Sequence, residues 1–326
     1  MCRLAASFVI AGRANGFSKA QCTAAATAAA RSYRERIARY AEMPVLDAYY
    51  EYIDLKKLVL ATEDTQIRQL TLKRIRKAQA ESANLKEFTK LAYQAGDQPR
   101  IRDEPPLIYH DPDLDRQKDL DSAFEEMINA YVNTLPPERR MLAQRYRLVD
   151  VATKVVGVGS VGTYCGIALM ISGNGDSLFL QFKEARASVL EPYCGRVPMT
   201  HHGERVVFGQ RLLQSSSDIF LGWTTNPRTG RHFYVRQLRD AKIKPMVEVM
   251  NPRNLSGYAS ACGWALARGH RRSGDAVMLA GYMGTNGVFD QAMAGFAIAC
   301  ADQNERDHSA LVTAVRAGRV EARVSV

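Results

Sequence analysis

The sequence is poor in the residues that disulfide frameworks and metal centres require. Its six cysteines are scattered over 326 residues without a C-x-x-C pair, which excludes the spacing of a zinc ribbon and favours a reducing cytoplasm as the compartment. Two of the six histidines, His201 and His202, are adjacent, but neighbouring side chains of a helix or strand point in different directions. We therefore expect no metal site at this pair.

Long hydrophobic runs are also lacking. No apolar segment approaches the ~18 residues that a membrane-spanning helix needs, so we expect no membrane partner. The segment from Arg3 to Ala11, RLAASFVIA, superficially resembles a secretory signal, but Gly12 and Arg13 follow it without a small-residue cleavage site. A buried helix is the better interpretation of this segment.

Aromatic residues are absent where the sequence is most basic. The net charge of +10 is compatible with an acidic partner. However, the densest basic run, Arg68 to Lys77, contains no aromatic side chain that stacks on bases. Such charge runs are usually solvated helix faces. We therefore expect no nucleic-acid partner.

The remaining composition is that of a globular protein. Hydrophobic residues make up 46% and charged residues 24% of the chain, values that argue against a disordered or fibrous chain. The residues Ser18 and Gln21 form the pattern of a capping box, so a helix should begin there and end before Pro44. The other elements predicted in this half are helices at 46–60, at 64–93 and on both sides of Pro136 and Pro137, and a proline-rich loop at 96–113.

The pattern changes to that of a small sheet at Tyr146. Residues 146–182 contain β-branched and aromatic runs separated by glycines and a turn, which predicts an antiparallel meander. The elements predicted next are a helix at 201–215, strands at 219–224 and 232–237, and helices after Asn254. The expected fold class is α+β, in three parts: a helical part at 1–145, a small antiparallel lobe at 146–245, and a helical part at 246–326 that packs with the first.

One short segment carries a chemical signature. Residues Gly157 to Gly162 read G-V-G-S-V-G and fit G-x-G-x-x-G, a pattern that two unrelated phosphate-binding designs share. A dinucleotide-binding site needs a helix directly after the last glycine, whereas residues 163–171 are strand formers. A protein kinase instead has a strand, the glycine loop, a second strand, a turn, and a third strand that carries a lysine. The sequence has these parts in this order, with Lys183 directly after the apolar run 178–182.

A kinase lysine is held by a carboxylate from the next helix. Glu204 is the only acidic residue of the predicted helix at 201–215 and is the candidate partner of Lys183, with Glu184 and Glu191 as alternatives. The helix dipole, which favours a carboxylate at a helix N-terminus, explains Glu204 equally well. The predicted nucleotide-binding residues are Gly157, Gly159, Ser160, Gly162, Lys183 and Glu204.

The strand predicted at 232–237 and the residues after it would connect two lobes. In that arrangement, Arg236, Arg239 and Lys242 either line the nucleotide or face solvent, and the sequence leaves both options open.

Several long motifs resemble one bacterial family. They are VGVGSVGT, LFLQFKEARASVL, FYVRQLRDAK, GHRRSGD and FDQAMAGFAIACADQNERDH, with LAASFVIAGRANGFS and LDAYYEYIDL nearer the start. They resemble the domain of unknown function 2252 family, which is similar to the protein-kinase and aminoglycoside-phosphotransferase superfamily in a permuted order. The resemblance implies a kinase-like fold, ATP with magnesium as cofactors, and phosphate transfer to an unknown acceptor.

The family has two further segments, of the types G-D-x-H-x-x-N and D-x-N-D-F-D, which resemble a catalytic loop and a metal-binding strand. Both come before the stretch that matches LAASFVIAG, whereas this chain begins at Met1 and contains no G-D-x-H-x-x-N. We therefore expect catalysis to be incomplete in this chain, the absent segment to be a partner, and the helix at residues 3–11 to expose an apolar face.

Three residues remain as weak catalytic candidates. His270 lies in GHRRSGD, where Arg272 stands at the position of the aspartate of a kinase H-R-D motif, and the other two candidates are Asp275 and Asp290. Helix capping is the commoner use of aspartate beside glycine or at a helix start. The alternatives to a phosphotransferase are a non-catalytic nucleotide-binding or regulatory module, a truncated product without activity and, last, a dinucleotide-binding dehydrogenase.

Overall fold

The computed structural model describes residues 1–60, 65–80, 88–96, 98–110, 118–157, 162–238 and 245–322. The chain forms two compact units, which we call the helical unit (Met1–Thr71 with Lys244–Val326) and the sheet unit (Leu72–Ile243). Within the described ranges, no helix combines the length and the apolar character that crossing a bilayer requires.

The bounds of the elements are as follows. The helices are α1 (Cys2–Ala14), α2 (Lys19–Glu42), α3 (Val45–Tyr50), α4 (Leu55–Leu60), α5 (Thr65–Ala80), α6 (Lys118–Asn133), α7 (Pro137–Ala143), α8 (Glu191–Cys194), α9 (His202–Leu213), α10 (Pro252–Ser273), α11 (Ala276–Met283) and α12 (Val288–Arg316). The strands are β1 (Ala92–Ala95), β2 (Gln98–Ile101), β3 (Ile108–Tyr109), β4 (Tyr146–Lys154), β5 (Cys165–Ser172), β6 (Ser177–Glu184), β7 (Gly222–Thr225) and β8 (His232–Gln237).

Helix α2 begins where the capping box predicted. The Ser18 hydroxyl accepts a hydrogen bond from the Gln21 amide at 3.3 Å, and the Gln21 side-chain oxygen accepts one from the Ser18 amide at 2.9 Å. These two bonds satisfy backbone donors that the first turn of a helix leaves unpaired. The helix ends at Glu42, two residues before Pro44, so both predicted ends are confirmed.

The helical unit is built around α2, which packs closely against α10. A side chain at Gly263 would collide with the backbone carbonyl of Ala29, so the two helices approach to a distance that only glycine allows at this crossing. Helix α1 packs on the same core, with Ala5 and Val9 fully buried among residues of α2 and α12. The expectation that residues 3–11 expose an apolar face is therefore wrong.

The sheet unit contains a six-stranded sheet of order β3-β4-β5-β6-β8-β7, in which every neighbouring pair is antiparallel. The predicted meander at 146–182 is confirmed as β4, β5 and β6. The helix predicted at 201–215 is confirmed as α9, and the strands predicted at 219–224 and 232–237 are β7 and β8. The α+β class is thus confirmed.

The chain has β structure before the meander that the sequence patterns did not predict. Tyr93 lies in β1, which pairs with β2 as a hairpin, so the helix predicted at 64–93 does not reach its predicted end. The predicted loop at 96–113 contains β2 and β3. Prolines and charges made this segment resemble a loop, but Ile101 and Ile108 are buried against the sheet. The helix predicted at 46–60 is also interrupted, because Asp54 caps a new helix through the amide of Lys57 at 3.1 Å.

The two faces of the sheet are covered by different elements. Leu178, Leu180 and Phe182 of β6 pack into a core with α6 and α7. Phe179 lies on the opposite face, in a core shared with the hairpin β1–β2, and we call this face the hairpin face. Because successive residues of a strand alternate between faces, Gln181 and Lys183 also lie on the hairpin face. The candidate site is built on this face.

Candidate functional site

Lys183 lies at the end of β6, between two neighbouring strands. Its cross-strand partners are Cys165 on β5 and Tyr234 on β8, so the three side chains form a row on the hairpin face. The lysine side chain is half-buried. Across the described ranges, it makes no ion pair with a carboxylate.

Two more cations lie on this face close to Lys183. Lys154 ends β4 beside Cys165, and Arg236 is the β8 partner of Gln181. Burial raises the pKa of the Cys165 thiol, while the charges of Lys183, Lys154 and Arg236 lower it and only partly offset the burial. Three positive side chains therefore act on one buried sulfur. We call Lys154, Lys183 and Arg236 the basic cluster.

Arg236 is oriented by a buried amide. Gln181 is only 3% exposed, and its side-chain oxygen accepts from Nε and Nη2 of Arg236, both at 3.3 Å. The side-chain nitrogen of Gln181 donates to the Cys165 sulfur at 3.5 Å. The sequence left open whether Arg236, Arg239 and Lys242 face a nucleotide or solvent. The register with Gln181 puts Arg236 on the face of Lys183, whereas Arg239 and Lys242 lie outside the described residues.

The ends of the glycine segment flank the basic cluster. Gly157 follows β4, and Gly162 comes three residues before Cys165. Gly162 has a φ of +74°, in the left-handed region that favours glycine. Gly159 and Ser160 lie outside the described residues. A strand, Cys165–Ser172, follows Gly162, so the dinucleotide-binding alternative, which requires a helix there, is wrong.

An ion pair holds the C-terminal end of the glycine segment. Glu184, the residue after Lys183, accepts from Nε of Arg186 at 2.7 Å and from the amide of Tyr164 at 2.8 Å. Nη2 of Arg186 donates to the carbonyl of Gly162 at 2.6 Å. The hydrogen bond from Arg186 lowers the pKa of Glu184 and outweighs the effect of burial. We call the pair of Glu184 and Arg186 the loop clamp.

The carboxylates proposed as partners of Lys183 have other surroundings. Glu184 belongs to the loop clamp and forms no ion pair with Lys183 in the described ranges. Glu191 accepts from the amide of Ser188 at 3.0 Å and lies 3.5 Å from Nε of Arg196. Glu204 lies in the first turn of α9 and forms no ion pair with Lys183 in the part of the chain that the structure describes, so this pairing stays a prediction.

Helix α9 instead reaches the loop clamp through its next residue. Nη2 of Arg205 donates to the carbonyl of Arg186 at 2.7 Å. No sequence signal pointed to Arg205 or to the contact of Arg186 with Gly162, because the acceptors are backbone carbonyls. The one available indication was position, since Arg186 comes three residues after the predicted lysine.

The N-terminus of α9 carries a histidine that stacks on a histidine of β8. The ring of His201 stacks on that of His232 with centroids 3.9 Å apart. Nδ1 of His201 accepts from the amide of Glu204 at 3.1 Å, and its Nε2 contacts the Thr225 hydroxyl at 3.0 Å. Burial, reinforced by the neighbouring His232, lowers the pKa of His201 to about 4. His201 and His202 belong to no group of three potential metal ligands in the described ranges.

The three weak catalytic candidates lie in the helical unit and make structural contacts. Asp275 caps α11 by accepting from the amide of Val277 at 2.8 Å, the alternative that the sequence favoured. Nδ1 of His270 lies 2.7 Å from the Tyr33 hydroxyl, and burial lowers its pKa. Asp290 is buried in a two-point ion pair with Arg34, at 3.0 and 2.8 Å. A catalytic role for these residues stays a prediction.

The comparisons with known proteins agree with the motifs. The model of a family described as an uncharacterized protein conserved in bacteria matches residues 1–314. No curated protein and no solved structure matches the chain. The motifs quoted above, from the glycine segment to GHRRSGD, all lie inside the matched range. The chain therefore belongs to the domain of unknown function 2252 family.

Proposed function

We propose that the sheet unit is the nucleotide-binding part of a kinase-like phosphotransferase, and that it binds the phosphate groups of ATP. The observation that carries the proposal is the basic cluster. Lys183 is a half-buried lysine on the third strand of the meander, flanked by Lys154 and Arg236 and without a carboxylate partner in the described ranges. Cations on one face repel each other, and a polyphosphate relieves that repulsion through charge-assisted hydrogen bonds.

The order of elements supports the same function. In protein kinases a glycine-rich loop covers the phosphates, a lysine on the third strand pairs with them, and a helix with a carboxylate follows that strand. Here the glycine segment joins β4 to β5, Lys183 lies on β6, and α9 follows with Glu204 in its first turn. The permuted kinase-like fold is part of this proposal.

Magnesium enters the proposal with the nucleotide. Mg²⁺ at kinase sites is held by one or two carboxylates together with phosphate oxygens and water. The described residues contain no group of three potential metal ligands, so the phosphate groups and water would supply most of the ligands of the ion. Bound to ATP, the ion would reduce the charge that the basic cluster has to balance.

A second function has its own support. Asp275, Asp290 and His270 each have structural contacts in the helical unit, which favours a non-catalytic nucleotide-binding module over an active phosphotransferase. The acceptor hydroxyl needs an aspartate close to it. Binding of ATP without hydrolysis or transfer by this chain is the outcome that this second function predicts.

Thermal unfolding with and without ATP and magnesium tests nucleotide binding. A ligand that binds only the native state raises the midpoint temperature. We expect ATP to raise the midpoint of the parent and of Lys90→Ala, which removes an exposed lysine of the same unit, but not that of Lys183→Ala. A well-folded parent whose midpoint does not respond to ATP at millimolar concentration would refute the proposal.

A further inference from the structure

We propose that the loop clamp fixes the backbone of residues 162–164, where the glycine segment ends, for phosphate binding, with Arg186 as the positioning residue. This inference rests on the proposed function and adds residues outside the glycine motif. Glycine loses more conformational freedom on ordering than any other residue, so a segment with three glycines binds phosphate tightly only if other groups fix its backbone. The loop clamp contacts the backbone at the end of this segment and again two residues beyond it.

The first point of contact is at the end of the segment itself. Arg186 donates to the carbonyl of Gly162 at 2.6 Å, and Gly162 has the left-handed φ of +74°. The second point is two residues later, where the carboxylate of Glu184 accepts from the amide of Tyr164 at 2.8 Å. One ion pair thus holds both a carbonyl and an amide of residues 162–164.

The clamp also joins the segment to the rest of the site. Glu184 directly follows Lys183, so the strand that presents the lysine also fixes the loop. Arg205 of α9 donates to the carbonyl of Arg186 at 2.7 Å. Two residues before the segment, the amide of Val155 donates to the carbonyl of Leu107 at 2.8 Å. Lysine, loop and helix are therefore connected by hydrogen bonds within one unit.

Charge gives Arg186 a second effect on phosphate binding. The side chain of Glu184 is only 5% exposed and lies next to the residue that would bind phosphate, while that of Arg186 is 57% exposed. An unpaired buried carboxylate at this position would repel an anion. Arg186 neutralises it, so loss of the arginine alone should weaken phosphate binding more than loss of both charges.

Titration calorimetry of the full chain with ATP and with adenosine tests the clamp. We expect Arg186→Ala to weaken ATP binding about tenfold, the loss of about one charge-assisted hydrogen bond. Binding of adenosine, which carries no phosphate, should not change. Arg196→Ala is the matched control, because it removes an exposed arginine that pairs with Glu191 in the same unit, and it should bind ATP as the parent does.

The double variant separates positioning by charge from a general loss of structure. We expect Glu184→Gln/Arg186→Ala to recover part of the ATP affinity that Arg186→Ala loses, and Arg186→Lys to recover part of it as well. A parent that binds ATP together with an Arg186→Ala variant of equal ATP affinity overturns the clamp and leaves the proposed function intact. An equal loss of ATP and adenosine affinity also overturns it, and a parent that binds neither overturns both.

Discussion

Lys183 and Glu184 are neighbours in the chain with opposite surroundings. Successive residues of a strand face opposite sides of the sheet, so the carboxylate of Glu184 points away from the lysine row. Glu184 is satisfied by Arg186 and by the amide of Tyr164, whereas Lys183 lies beside Lys154 and Arg236. We expect a ligand or Glu204 to place a negative charge beside Lys183, and binding experiments distinguish the two.

Gly162 has a left-handed backbone conformation and belongs to the proposed phosphate-binding residues. Its φ of +74° costs a residue with a side chain about 1 kcal/mol or more. We expect Gly162→Ala to lower the free energy of unfolding by about that amount and to weaken ATP binding at least severalfold, because a change of backbone conformation at residue 162 moves the carbonyl that accepts from Arg186. Chemical denaturation and titration calorimetry measure the two effects.

Gly175 supplies the matched control for this substitution. It lies in the turn between β5 and β6 with a φ of +85°, so Gly175→Ala carries the same backbone strain away from the glycine segment. We expect a similar loss of stability and unchanged ATP affinity. If both variants change ATP affinity equally, the conformation of Gly162 has no special part in binding.

At the scale of single elements, the N-terminus of α9 combines a helix cap with a titratable group. His201 caps the helix only while Nδ1 is unprotonated, because that atom accepts from the amide of Glu204. Protonation removes the acceptor and places a charge at the positive end of the helix dipole. Its folded-state pKa of about 4 lies below the ordinary value near 6.5.

This depressed pKa predicts the sign of a pH effect. The unfolded chain binds the proton more readily, so the contribution of His201 to stability is complete above about pH 6.5 and is lost as the pH falls towards 4. His201→Asn keeps a capping oxygen without titrating there. Denaturation midpoints from pH 7.5 to 4.5 should therefore fall more steeply in the parent than in His201→Asn.

Histidines away from α9 titrate in both proteins and cancel in this comparison, whereas His232 stacks on His201 and is affected by the substitution. His110, whose pKa is raised by a hydrogen bond to Asp150, favours stability at low pH, the opposite sign. His232, whose pKa burial lowers, has the same sign as His201. Parallel pH profiles of parent and His201→Asn would show that the cap does not depend on the protonation of His201.

The elements that the sequence predicted well are those with local signals. The capping box at Ser18 and the β-branched and aromatic runs of β4 to β6 are readable within a few residues. The hairpin β1–β2 was missed because Ile101 is buried by residues far along the chain, such as Ile167. The candidate site likewise has residues with local signals and residues without them. Lys183 and the glycines were predicted from a motif. The role of Arg186 depends on its contact with a backbone carbonyl 24 residues away.

At the scale of the whole molecule, Asp290 shows how a buried charge that resembles a catalytic residue can serve a fold. Its residue is 2% exposed, and the side chain of Arg34, its two-point partner, is 11% exposed. The pair joins α12 to α2, the central helix of the helical unit. Removing one member of such a pair leaves an uncompensated buried charge, which is strongly destabilising.

We therefore expect Asp290→Asn to lower the free energy of unfolding by about 3 kcal/mol, because the Arg34 guanidinium loses its counter-charge. Asp302→Asn, in the same helix, is the control. Asp302 is 46% exposed in its pair with Arg13, and such pairs contribute less than about 1 kcal/mol. Urea denaturation measures both. An Asp290→Asn variant as stable as the parent would show that the fold does not need this ion pair. A large loss of stability, with ATP binding retained in the folded variant, assigns Asp290 to the fold.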